Sequence, residues 1–149
     1  MNPFDWRTVL LAKHAQHVAL IHFPIALFIA AVALDLLGVW TKGEDLATAG
    51  YFNLSLAALS VFPAVLTGLV AWQWQLEGHR LKGILLWHLL AACCSALIIW
   101  TSWWIHYRAR RAQLKAAPEW RVALELAGVL VVALTGHLGG FLSGVNTNR

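Results

Sequence analysis

Four of the chain's seven histidines stand in apolar surroundings where imidazole is unusual. His17 and His22 lie in QHVALIHFPIAL (residues 16–27), His88 in LLWHLL (85–90) and His137 in ALTGHLGG (133–140). Neutral imidazole is the commonest metal ligand, and its two nitrogens allow one to bind while the other is held by a hydrogen bond. A small ion such as zinc, or a di-iron pair, normally wants carboxylates beside the histidines, for example a Glu-x-x-His pair. No acid lies at the depth of these four. Heme iron needs only axial side chains and a flat apolar slot. The competing reading is structural: neutral histidines that hydrogen-bond between neighbouring segments. His14 and His79, flanked by Lys13 and Arg80, read as wet and interfacial, and His106 beside Tyr107 and Arg108 reads as a residue of the opposite surface.

The segments that carry these residues are long and apolar. Sixty per cent of the 149 residues are hydrophobic and 12% charged, far from the usual soluble composition. Stretches at about 18–40, 49–74, 84–104 and 122–142 are each long enough to cross roughly 30 Å of hydrocarbon. The expected fold is all-α, an integral-membrane four-helix bundle forming a single transmembrane domain over residues 1–149, with up-down-up-down order because the connections are short. Met1 to Asp5 lacks the basic region of a removable signal, so the first span is expected to stay as an anchor. Asn2, Pro3 and Asp5 suggest a cap, a first-turn proline and an acidic first turn, hence a short interfacial helix before it. Cys93 and Cys94 are adjacent in the third span, where a disulfide would be strained, and no Cys-x-x-Cys-His is present for covalent heme attachment.

Let side A hold the N-terminus. Trp6, Trp72, Trp74 and Trp87 then fall toward side A, and Trp40, Trp100, Trp103, Trp104 and Trp120 toward side B, as amphipathic rings gather at both membrane surfaces. Antiparallel folding brings His17, His22, His88 and His137 to side A, with the last three on the order of 8–10 Å inside their helix ends. Gly68, Gly136, Gly139 and Gly140 supply places where a porphyrin could approach backbone; alone, the Gly136-x-x-x-Gly140 repeat reads as a helix-packing seam. Asp35 and Glu125 lie near side B, and are expected in an interfacial ion network with each other, Arg108 or Arg121; a proton-linked role is the less favoured reading. The net charge of +4 comes from loop Lys and Arg, which reports orientation before nucleic acid, and no nucleic-acid partner is expected.

His17-x-x-x-x-His22-Phe-Pro-Ile-Ala-Leu, Leu34-Asp-Leu-Leu, Thr67-Gly-Leu-Val-Ala-Trp72, His88 and Thr135-Gly-His-Leu-Gly-Gly140 together resemble an uncharacterised bacterial family. It is a four-span membrane domain of unknown function with a His-Pro-x-x-Val-His-Phe-Pro-Ile-Ala opening and a terminal Gly-Gly motif. Members are sometimes fused to Rieske or cytochrome c domains, so the resemblance implies an electron-transfer setting and heme b held by the histidines. Three departures stand out: Val18 replaces a proline, Ala71 an acidic residue, and Ser143-Gly-Val-Asn-Thr-Asn the family's terminal Val-Tyr-x-His-Gly. The last leaves His137 as the ligand candidate of the fourth span.

The function expected is a b-type, heme-binding membrane subunit in the bacterial inner membrane, with one heme or two. It would pass electrons between a periplasmic partner, a cytochrome c or Rieske-type protein, and a larger membrane complex or quinone. His22 and His88 are the preferred axial pair, with His137 and His17 as alternative or second-heme ligands. Independent catalysis is not required of such a subunit, whose contacts would be lipids and the other subunits of a redox complex. The rival is a cofactor-free scaffold or assembly subunit of a respiratory or photosynthetic complex. A copper or proton transporter is disfavoured by the single methionine, the absence of thiolate near the histidines and the absence of mid-depth acid. The basic run Tyr107 to Lys115 places side B in the cytoplasm and both termini in the periplasm. A reporter fused after Arg149 is accordingly expected outside the cell membrane; reporter activity in the cytoplasm would invert the topology.

Overall fold

A computed structural model describes residues 15–75, 77–78, 80–114 and 118–144. They form four helices and no strand: α1 Ala15–Thr41, α2 Glu44–Gln75, α3 Gly83–Arg111 and α4 Arg121–Leu142. Each is long and apolar enough to cross a membrane. Helices answer the demand of a solvent that offers no hydrogen bonds, because every backbone group finds its partner within the segment. Polar side chains obey the same demand. The hydroxyls of Thr41, Ser55 and Thr135 and the amide of Asn53 each donate to the carbonyl four residues earlier. The short helix expected near Asn2 to Asp5 lies outside the described residues.

Two helices outrun their apolar spans. α2 begins at Glu44 rather than 49, and α3 continues to Arg111 rather than 104. Glu44 and Asp45 in the first turn of α2, and Arg108, Arg110 and Arg111 in the last turn of α3, carry the charges that the helix dipole favours at those ends. Much of the expected basic loop is therefore helix. Only Lys42 and Gly43 join α1 to α2. Lys42 takes a left-handed conformation (φ 55°), and Gly43 N–H donates to the Gly38 carbonyl at 3.0 Å, closing the helix end and reversing the chain at once. α3 ends by the same device, with Gln113 at φ 53° and Leu114 N–H on the Ala109 carbonyl.

Contacts across the bundle establish the order of helices. The backbone at Gly50 of α2 abuts Ala31 and Asp35 of α1, so that a β-carbon there would stand 3.2 Å from the Ala31 oxygen. Trp103 Nε1 of α3 donates to Ser55 Oγ of α2 at 3.2 Å, and Trp100 meets Phe62 edge to face. Phe28 of α1 fits against Gly128 of α4. These pairings join low numbers on one helix to high numbers on the next, which is the antiparallel up-down-up-down arrangement. Phe28, Ala31, Val32, Leu54, Ala57, Ala58, Val61, Ile99 and Val132 form the shared core.

That core is lopsided. The buried residues nearest side A are Pro24, Ala64, Ala91 and Val132, one on each helix. Beyond them, residues 16–23, 65–74, 83–90 and 133–142 include none that is buried. Toward side B burial continues to Gly38, Gly50, Ala109 and Arg121, close to the helix ends. The bundle is packed shut at one end and open at the other.

Gly128→Leu tests the tight end. A β-carbon at 128 would lie 2.6 Å from Ile98 Cγ2 and 2.9 Å from the Phe28 ring, whereas one at Gly136 would meet nothing closer than 3.7 Å. Overpacking costs about 1–3 kcal/mol. The expected result is a lower midpoint in a denaturing-detergent titration for Gly128→Leu and an unchanged or raised one for Gly136→Ala.

Candidate functional site

All four span histidines lie in the open, side A portion of the bundle. His17 is half-buried against α2, where its Nδ1 is 3.3 Å from Thr67 Oγ1. The Thr67 hydroxyl already donates to the Pro63 carbonyl at 2.7 Å, so the imidazole is the donor in the bond between them. Gly68 is the reason the ring fits: a β-carbon there would stand 2.9 Å from His17 Cε1. His88 repeats the arrangement between α3 and α4. Its Nδ1 donates to the Thr135 carbonyl at 3.1 Å, and Gly139 makes room for the ring, with 3.2 Å from a built β-carbon to Cε1. The Thr135 hydroxyl, committed to Val131, accepts from Ser95 at 2.9 Å.

The other two face outward. His22 is exposed, and its Nδ1 donates to the Val18 carbonyl of its own helix at 2.6 Å. α1 runs on through Pro24 without a break. His137 is exposed, with its ring edge-on to Phe141. Gly136 faces Ile25 of α1. His17 and His88 are thus the two half-buried rings that bond to a neighbouring helix. In His17, His22 and His88 alike, Nδ1 carries the proton and Nε2 keeps its lone pair. That is the tautomer found in metal-bound histidines whose second nitrogen is tied to a carbonyl or hydroxyl.

Side B holds a different set. Asp35, His106, Arg121 and Glu125 are each no more than 8% exposed. Arg121 donates to Asp35 Oδ2 at 2.5 Å, and its Nε lies 4.0 Å from Glu125 Oε1, which is 2.8 Å from His106 Nε2. The Asp35–Arg121 pairing is among those expected from the sequence. His106 is not: its neighbours Tyr107 and Arg108 suggested a surface residue, yet it occupies the buried stripe Ser95, Ile99, Ser102, His106, Ala109 of α3. The three- and four-residue spacing of that stripe was the available signal. Among the described residues, Asp35, His106 and Glu125 are the one group of three ligand-bearing side chains whose atoms all lie within 4.8 Å of one another.

The model of a family described as Predicted membrane protein (DUF2231) matches residues 13–146, nearly the whole chain. The chain belongs to the DUF2231 family. No curated protein and no solved structure gives a significant match. The family description carries the membrane assignment and no activity, so the DUF2231 chain's chemistry has to be argued from its two polar ends.

Breaking the side B set should be costly and repairable. Arg121→Met leaves Asp35 without its cation in a buried setting, a loss of about 3–5 kcal/mol. Asp35→Leu combined with Arg121→Met removes both charges and should recover most of that loss. A double-mutant cycle by denaturing-detergent titration reads the coupling directly; additive effects would mean that the two side chains do not depend on one another.

Proposed function

We propose that this DUF2231 protein binds heme b in the open side A portion of its bundle and serves as an electron-transfer subunit. It would link a periplasmic redox partner to a larger membrane complex or quinone. The observation that carries the reading is the pairing of an end without buried residues with two half-buried imidazoles, each held through Nδ1 by a hydrogen bond to a neighbouring helix. The donor chemistry fits heme iron: neutral imidazoles, each with its other nitrogen held, and no carboxylate among them.

His17 and His88 are the residues that would hold the iron, coming from the diagonal helices α1 and α3. Thr67 and the Thr135 carbonyl fix their tautomers and ring planes, and Gly68 and Gly139 give the rings room beside backbone. Heme bound there supplies a one-electron carrier. The chain's own contribution is to orient the imidazoles and to keep water out through the apolar walls of the helices. His22 and His137 are exposed and would be the residues to serve a second heme or a neighbouring subunit.

The scaffold reading draws on the same hydrogen bonds. His17 to Thr67 joins α1 to α2, and His88 to Thr135 joins α3 to α4, so both would serve as staples with no cofactor present. Spectra separate the two readings. After expression with ample heme, reduced-minus-oxidised spectra should show a bis-imidazole heme that is lost in His17→Ala and His88→Ala and kept in His22→Ala and His137→Ala. Partial loss in all four would mean two hemes. Protein that folds but carries no heme would leave the scaffold reading standing.

A further inference from the structure

The heme reading makes no use of the side B cluster, about 27 Å along α1 from His17 at 1.5 Å per residue. Its charge can be counted. Asp35 and Glu125 bring two negative charges, and Arg121, which stays protonated, brings one positive. One negative charge remains, in a setting where burying net charge is expensive. α2 faces the cluster with Gly50 and Leu54 and adds no ionisable group. Arg110 of α3 is turned away onto the Ala47 carbonyl, Thr48 and the ring of Tyr51, and Glu44 and Asp45 are exposed. Neutrality therefore requires a single positive charge within the His106–Glu125 pair.

Two further observations point to what supplies it. Glu125 Oε2 is buried and has no hydrogen-bond partner, in a residue only 1% exposed. Asp35, His106 and Glu125 also border a small recess of about 10 Å³. We propose that His106 and Glu125 form a single-proton site, loaded and emptied from side B, with Asp35 and Arg121 fixing the count at one. The proton passes from a hydronium to the pair and leaves by the same route; only N–H and O–H bonds form and break. Exchange is with side B. The His106 and Asp35 side chains keep about 10% of their surface exposed, while Phe28, Ile99 and Val132, at 0–2% exposure, close the way toward side A. A divalent ion fits the count less well, since it would leave an excess positive charge beside Arg121.

The test uses the full-length protein in lipid nanodiscs. Imidazole ¹⁵N shifts, assigned by their loss in His106→Gln, are followed with pH alongside infrared difference spectra of the carboxyl groups. The expected result is one reversible protonation step seen at His106 and Glu125 together, with its infrared signature lost in Glu125→Gln and retained in His17→Ala and His88→Ala. Because the native protein alone shows the step, a variant that fails to fold does not remove the test. An unchanging His106–Glu125 pair across the whole pH range in which the protein stays folded would overturn the proposal in favour of a fixed ion pair. Stoichiometric retention of added Zn²⁺, abolished in Glu125→Gln, would overturn it in favour of a metal site.

Discussion

Arg121 joins the two halves of this molecule. α1 and α2 form one close helical hairpin, and α3 and α4 pack against each other as a second pair. Lipid gives neither pair a hydrophobic reason to seek the other, so their union rests on shape and on polar bonds across the seam. At the seam between α1 and α4, the guanidinium binds Asp35 of the first pair and lies beside Glu125 of the second. Glu125 in turn reaches His106, so α3 is drawn into the same junction. The insertion of Phe28 against Gly128 and the Trp103–Ser55 bond take their register from that junction or reinforce it.

The contrast between the ends follows from where polar bonds were placed. At side B, four ionisable groups share a small buried volume and pair across α1, α3 and α4, and the helices are held close around them. At side A the imidazoles bond to hydroxyl and carbonyl groups of an adjoining helix within each pair: His17 within the first, His88 within the second. No hydrogen bond described at that end crosses from one pair to the other. The buried contacts between the pairs are accordingly concentrated toward side B.

Much of this arrangement was readable from residue order. The four spans, their antiparallel sequence and the tryptophans at both ends follow from hydropathy and length alone, and Trp40, Trp74, Trp87 and Trp120 are indeed exposed near helix ends. Helix ends were less legible, because Glu44, Asp45 and Arg108 to Arg111 look like loop residues by polarity yet extend helices into the headgroup layer. His106 escaped for a related reason. Sequence neighbours suggested its environment, whereas a helix places it with Ser102 and Ala109 and sends Arg108 elsewhere. The inward or outward facing of the four side A histidines was not readable either. It depends on which helix each contacts, and Gly68 and Gly139, which admit His17 and His88, declare that role only once the neighbouring helix is in place.

The two-residue link at Lys42 and Gly43 bears on how the molecule is made. So short a connection ties α1 and α2 into one hairpin, the part of the bundle that is synthesised first. His17 belongs to that early unit and His88 to the late one. Any ligand gripping both would be unable to bind until the units had met, and once bound it would tie one unit to the other. Maturation of the open end would then be a separate event from insertion, governed by the supply of that ligand rather than by translation.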